Sequence, residues 1–408
     1  MPDETPWLTI VGIGEDGVDG LSTLARAAID TAELLVGGAR HLAMLPTDGR
    51  QRLSWASPLT ATIPVLLEQR GRRVCVLASG DPMWFGIGAT LARHVPAAEL
   101  RVIPAPSAFS LAAARLAWPL AETVCLSIHG RPTELVVPHL HPGARLLLLA
   151  WDGGTPETLA RLLCRHGFGS SEMTVLEAMG GGAERRRTRT AAGWLADPPA
   201  EPVAALNTIG VLCRSDPGAR LLSSVPGLPD AAFEHDGQLT KQMIRAVTLA
   251  ALAPRPGQML WDVGAGAGSV AIEWLRADPR NRAIAIERRV DRADRLKRNA
   301  ATLGTPDLIT VTGAAPEALD GLDPPDAIFI GGGLGIPRVI ERCWMALPDG
   351  GRLVANAVTL EGEAVLLDWR ARHGGELNRL SIARAEPIGG LTGWRPAMPV
   401  TQWSIAKP

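Results

Sequence analysis

Trp261-Asp262-Val263-Gly264-Ala265-Gly266-Ala267-Gly268 is the stretch that decides how this chain is read. An apolar run ends in an acid, three glycines alternate, and a helical pattern opens at about Ser269. Glycines there let the backbone turn sharply and pass close to a bound nucleoside. The next strand ends in Glu287, 19 residues beyond Gly268, where a carboxylate accepts hydrogen bonds from both ribose hydroxyls. Asp262 suits a positively charged amino-acid tail, directly or through water. A dinucleotide loop is spaced G-x-G-x-x-G and holds a diphosphate at a helix N-terminus. Here the third glycine comes one residue early and Asp262 would oppose a diphosphate. S-adenosylmethionine has no phosphate, so the expected ligand is that methyl donor, with Ala265 and Ala267 in the same loop.

The pattern around this loop is α/β. Strands are expected at Met259–Val263, 283–287, 308–312, 326–330, 353–357, 376–384 and 400–405. Helices fall between the first five, and the last two strands pair antiparallel. Thr240 is placed as the cap of a helix over 240–252. Upstream, 215–235 is rich in proline and glycine without periodicity and reads as a linker. Before it, buried strands are expected at Leu8–Ile13, 73–78, Leu100–Ile103, 146–150 and 206–213, with a helix over 21–35. Parallel α/β architecture is expected throughout. The domains are then 1–214, with subdomains of about 1–115 and 116–214, and 236–408.

The 408 residues carry 41 Lys and Arg against 42 Asp and Glu, a net charge of −1. That balance speaks against nucleic acid as a partner, which usually demands a basic excess. Five scattered cysteines suggest neither disulfides nor a zinc site, and no metal is expected. The acidic start over 1–7 lacks a signal peptide's basic and apolar regions. The longest apolar stretch is far below the ~20 residues of a membrane span. A cytoplasmic protein without membrane contact is expected.

A second glycine loop, Gly12-Ile13-Gly14-Glu15-Asp16-Gly17, matches G-x-G-x-x-G after a strand. Glu15 and Asp16 would face a diphosphate and the helix starts late, so the match does not make a dinucleotide site.

Val11-Gly12-Ile13-Gly14, Ser79-Gly80-Asp81-Pro82, Ile103-Pro104-Ala105-Pro106-Ser107 and Ser127-Ile128-His129-Gly130-Arg131 resemble, in order, the motifs of the tetrapyrrole (corrin and porphyrin) methylases. Leu239-Thr240-Lys241, the glycine loop, Gly313-Ala314-Ala315-Pro316 and Phe329-Ile330-Gly331-Gly332 resemble the decarboxylating precorrin methyltransferases. The resemblance covers nearly the whole chain. It implies a tetrapyrrole-methylase fold of two α/β subdomains, followed by a seven-stranded Rossmann-like methyltransferase fold. It implies transfer of two methyl groups from two S-adenosylmethionine molecules to carbons 5 and 15 of precorrin-6B (also written precorrin-6Y), and loss of carbon dioxide from the carbon-12 acetate, giving precorrin-8 in cobalamin biosynthesis. The first donor site would include Gly80, Asp81, Ser107 and Ala108; the second, Thr240, Gly264 to Gly268, Glu287 and Ala315. Relatives of each unit form oligomers, so a homo-oligomer is expected by analogy.

Methyl transfer from a sulfonium asks the protein to align two atoms and exclude water, so the absence of a nucleophile triad is no objection, and no catalytic base is assigned. An acidic macrocycle needs cations. Candidates are Arg131, the run Arg185, Arg186, Arg187 and Arg189, and Arg395 beside Trp394, whose ring could stack on the substrate. Arg288, Arg289, Arg292, Arg295 and Arg298 read as helix surface. Among histidines His129 leads; His41 and the rest read as solvated or satisfied. The competing readings are an RNA or protein methyltransferase with a substrate-recruiting N-terminal unit, and a binding protein without turnover.

Overall fold

A computed structural model describes residues 6–408; residues 1–5, most of the acidic start, lie outside the described residues. The chain divides into two compact units. The first ends at Arg220 and the second comprises Leu221–Pro408, with the short stretch Glu134–Pro138 grouped with the second.

The first unit holds two five-stranded sheets. In one, β1 (Leu8–Ile13), β2 (Leu34–Gly37), β3 (Gln51–Ser54), β4 (Val74–Ser79) and β5 (Leu100–Ile103) run parallel in the order β3-β2-β4-β1-β5. β1 and β4 are buried almost throughout, which is why they read as continuous apolar runs rather than alternating ones. The helix expected over 21–35 stops early. Ser22 caps Thr23–Asp30, and Leu34–Gly37 is a strand buried on both faces. A buried strand and a buried helix face look alike over four residues, so periodicity missed the switch.

The other sheet contains β6 (Val124–Ser127), β7 (Arg145–Leu149), β8 (Glu172–Glu177), β9 (Arg185–Thr190) and β10 (Asn207–Leu212), in the order β6-β7-β10-β8-β9. Only β6 and β7 are parallel; β10 is antiparallel to β7 and β8, and β8 to β9. This corrects the expectation of parallel architecture throughout. The edge strand β9, Arg-Arg-Arg-Thr-Arg-Thr, is charged and carries no apolar pattern, as edges often do.

The second unit has β11 (Met259–Val263), β12 (Arg282–Glu287), β13 (Ile309–Thr312), β14 (Ala327–Ile330), β15 (Arg352–Ala357) and β16 (Glu376–Leu380). A separate hairpin follows, β17 (Ala383–Ile388) with β18 (Leu391–Pro396), and then β19 (Val400–Ala406). The seven-stranded sheet has the order β13-β12-β11-β14-β15-β19-β16, with β19 antiparallel to both neighbours. The expected segment 376–384 breaks into β16 and the start of the hairpin. Strand order reverses between β11 and β14, and such a switch point leaves a crevice at the strand ends. Leu260, Phe329, Trp274 and Leu296 fill one side of the sheet, and Trp261, Ile328, Cys343 and Trp403 the other.

The stretch 215–235 is not a free tether. Asp216 accepts hydrogen bonds from the Gly169 and Ser170 amides of the first unit. Leu228 and Phe233 are buried in the core of the second. Single apolar residues in extended chain make no period, so the sequence hid this. The fully buried Arg245 secures the second part. Its Nε donates to Glu273 at 2.5 Å, and its Nη groups reach the carbonyls of Leu228 and Thr240. Glu273 also accepts from the Leu228 amide at 3.0 Å. Asp230 accepts from the Gln242 amide at 2.8 Å and faces Arg245 at 3.4 Å. Thr240 therefore does not cap the helix: the helix is Gln242–Leu252, Lys241 precedes it, and no side chain caps it.

Arg245→Leu strands Glu273 without its counter-charge, a loss of about 3–5 kcal/mol for a buried pair. Urea unfolding of the whole chain, followed by tryptophan fluorescence, should show the second unit's transition shifted accordingly. Arg161→Leu, which breaks an exposed pair with Glu157, should leave unfolding nearly unchanged.

Candidate active site

Past the end of β11 the chain takes three left-handed glycines, Gly264 (φ +74°), Gly266 (φ +57°) and Gly268 (φ +77°), a conformation that L side chains resist. Space makes the same demand. A Cβ on Gly264 would lie 2.8 Å from Gly332 Cα, and one on Gly268 2.6 Å from Leu296 Cγ. The Gly268 amide donates to Ala265 O at 2.8 Å, and the helix Ser269–Ala277 begins at once.

Glu287 ends β12 and is buried. Its Oε2 accepts from the Gly266 amide at 2.9 Å and its Oε1 from the Arg289 amide at 3.0 Å. A carboxylate has more lone pairs than these two bonds use, so acceptor capacity remains on Glu287, which lines a cavity. That cavity measures about 850 Å³, in the upper part of the ~300–1,000 Å³ usual for ligand sites. Thr240, Gly264, Ala265, Gly266, Glu287 and Ala315 all line it. Asp262, Ala267 and Gly268 do not; they stand behind the turn.

Asp262 is thus placed differently from the expected contact with an amino-acid tail. Its Oδ2 accepts from the Ala271 amide at 3.1 Å, in the first turn of the helix, while Oδ1 is buried without a partner. Burial, and secondarily the charge of Glu287, push its carboxyl up to about 7 against the pull of the Ala271 amide.

Several lining residues were not among the site candidates read from the sequence. Lys241, Arg384 and Glu386 border the cavity, as do Arg288 and Arg292, which read as helix surface. Arg292 is held by Asp236 at 2.9 Å. Arg288 directly follows the strand-end Glu287, and that position, rather than its place before a charged helix, was the clue. Arg395 lines the cavity and pairs with Glu386 at 3.0 Å. Trp394, its neighbour on β18, is three-quarters exposed and is not part of the lining, because adjacent strand residues face opposite ways.

In the first unit the expected residues gather at the ends of β1, β4 and β5. Gly80 (φ +54°) donates from its amide to Ile13 O and accepts at its carbonyl from the Ala105 amide, each at 3.1 Å. A Cβ on Gly12 would lie 2.0 Å from that carbonyl. Asp81 Oδ1 accepts from the Met83 amide at 2.9 Å. Buried Ser107 caps the helix Ala108–Leu116, accepting from the Ser110 amide at 3.0 Å. The first glycine loop is filled by its own acid: a Cβ on Gly14 or Gly20 would meet the Asp16 carboxylate at 2.6 or 1.9 Å.

Beside Ser79 lies a polar cluster that the sequence did not reveal. His41 Nε2 is 3.0 Å from Ser79 Oγ and 2.9 Å from Arg40 Nη2, and Arg40 pairs with Glu15. His41 Nδ1 is buried without a partner, which corrects the reading of this residue as solvated or satisfied. Burial first, and then Arg40, lower its pKa to about 4. His129 stacks on Trp151 with centroids 5.8 Å apart, and Arg131 lies over Phe85 at 5.9 Å. The arginine run is already matched. Arg187 Nε donates to buried Glu177 at 2.8 Å, Arg185 reaches Glu177 and Glu201, Arg189 meets Asp197, and Arg186 donates to Arg115 O. Arg185 and Arg187 are therefore not free forks for a substrate, a correction that follows from carboxylates on β8 and the 201 turn.

The raised Asp262 carboxyl has a consequence for stability. From pH 4 to 7 the unfolded chain gives up this proton while the folded chain keeps it, so this group's contribution to stability declines as pH rises through that window. Asp262→Asn should flatten that part of a stability-against-pH profile measured by urea unfolding.

Residues 231–407 match the precorrin methyltransferase domain family, and residues 7–193 match the tetrapyrrole (corrin/porphyrin) methylases. The chain is 54% identical over 405 residues to a precorrin-6Y C(5,15)-methyltransferase [decarboxylating] of Sinorhizobium sp, covering 99% of this chain and 97% of that protein. It is 45% identical over 403 residues to the protein of that name from Mycobacterium tuberculosis (strain CDC 1551 / Oshkosh), covering 98% of this chain and all of the other. A cobalt-precorrin-7 C(5)-methyltransferase of Salmonella typhimurium is 33% identical over 170 residues, 42% of this chain and 84% of that protein. Two fused α/β units, each with a glycine turn at its strand ends, and full-length likeness on this scale place the chain in the family of the decarboxylating precorrin-6Y C5,15-methyltransferases, S-adenosylmethionine-dependent enzymes of cobalamin biosynthesis.

Proposed function

We propose that each unit holds its own S-adenosylmethionine, that the first unit methylates carbon 5 of precorrin-6Y, and that the second methylates carbon 15 and removes the carboxyl of the carbon-12 acetate. One observation supports this most: in the second unit a single cavity is lined both by the glycine turn and Glu287 and by the apolar residues Ile336, Val358, Ile382 and Met398. At about 850 Å³ it has room for more than the donor alone.

The residues suit the donor. Side-chain-free backbone at Gly264 and Gly266 admits the adenosyl group, and the lone pairs left on Glu287 accept from ribose hydroxyls. When bound, the donor supplies a methyl group on a sulfonium, with its own leaving group. The protein holds the acceptor carbon in line and keeps water out. In the decarboxylation the ring conjugation takes the electron pair as the carbon–carbon bond breaks, carbon dioxide leaves, and the methylene left on carbon 12 takes up a proton from solvent to become a methyl group. In the first unit Gly80, Asp81, Ser107 and Ala108 would line the corresponding donor site.

Incubation with precorrin-6Y and methyl-labelled S-adenosylmethionine should give two methyl additions and one loss of carbon dioxide by mass spectrometry. No mass change with active substrate refutes the proposal. Gly266→Arg should abolish the carbon-15 methylation and spare that at carbon 5; persistence of both would show that the turn is misassigned.

A further inference from the structure

The hairpin β17–β18 places two arginines directly opposite each other. Arg384 and Arg395 are Cα partners across the antiparallel pair, and both line the cavity. Like charges so placed oppose folding unless something offsets them. The carboxylates at hand are modest offsets. Glu386 meets Arg395 at 3.0 Å where both are partly exposed, and Asp230 meets Arg384 only at 3.9 Å while already serving Arg245 and the Gln242 amide. Exposed pairs of this kind contribute little and exchange readily. Lys241 and Arg288 add positive charge on the cavity's border. The hairpin forms a sheet of its own, apart from the sheet that builds the glycine turn.

We infer that Arg384 and Arg395 form a clamp for a peripheral carboxylate of the macrocycle, and that the carboxylate they hold is not the one that leaves. The inference rests on the proposed reading of the cavity. A guanidinium paired to the leaving carboxylate would stabilise a charge that disappears on the way to carbon dioxide, and so would slow its loss. The leaving acetate therefore lies away from the clamp, and the clamp fixes the macrocycle's rotation from a neighbouring acetate or propionate. Arg384 and Arg395 are specificity residues that orient substrate and take no part in bond breaking.

The split between KM and kcat tests this in the full chain. Arg384→Gln and Arg395→Gln should each raise KM for precorrin-6Y in the carbon-15 reaction about tenfold, with kcat for carbon dioxide release changed less than threefold. Lysine at either position should restore part of the loss. The dissociation constant for S-adenosylhomocysteine, measured by calorimetry, should stay within twofold of wild type. KM unchanged in the double glutamine variant, with normal S-adenosylhomocysteine binding, overturns the clamp alone. A rise in kcat for decarboxylation overturns the placement of the leaving acetate. If S-adenosylhomocysteine binding instead survives Gly266→Arg at full strength, the reading of the cavity fails and the clamp with it.

Discussion

At Gly264 and Gly332 the ends of two neighbouring parallel strands bring their backbones so close that a single Cβ would collide with the facing chain. The same constraint recurs on an unrelated sheet, where the carbonyl of Gly80 occupies the space that a side chain on Gly12 would need. Both crossings sit where a parallel sheet offers its strand ends to a ligand. Stripping side chains there creates a surface of bare amides and carbonyls, and the elements around it inherit its geometry. In the second unit the turn leads directly into the helix Ser269–Ala277, and Glu287 spans it through the Gly266 amide.

The buried ion group around Arg245 holds the segment that leads to Thr240 in the cavity lining. A buried pair is poor evidence for net stability, because desolvation offsets much of the attraction. Its value is positional. Arg245 binds the carbonyls of Leu228 and Thr240 together with Glu273, and so holds in one place a stretch whose regular structure is one short 3-10 turn, Asp230–Ala232. Asn299 supports it from the next helix, donating to Glu234 O and Ala267 O at 2.9 Å each and accepting from the Glu234 amide at 2.8 Å. The buried Arg245 and Asn299 side chains thus satisfy backbone polar groups of this stretch at Leu228, Glu234 and Thr240.

Net charge conceals how these charges are used. Cations and anions nearly balance over the chain, yet the balance is not local. In the first unit the dense arginine run is matched by Glu177, Glu201 and Asp197. In the second, Lys241, Arg288, Arg384 and Arg395 border one cavity with few carboxylates beside them. A run in sequence turned out to be an edge strand, while arginines more than 90 positions apart came to share a site.

The sequence by itself determined the two α/β units, the identity of the strands that end in glycine, and the pairing of the Gly264 turn with Glu287. These are local facts: apolar runs of strand length, residues that tolerate positive φ, and a fixed spacing along the chain. The seven strands of the second sheet were legible for the same reason, down to the antiparallel return of β19. Tertiary structure alone decided the rest. It placed Asp262 behind the turn instead of in the cavity, tied up Arg185 and Arg187, turned Trp394 away while Arg395 points in, and gave His41 a buried, unpartnered nitrogen. Each outcome depends on which distant backbone or carboxylate a side chain meets. A one-residue shift along a strand reverses its direction, and no pattern within a window of sequence carries that information.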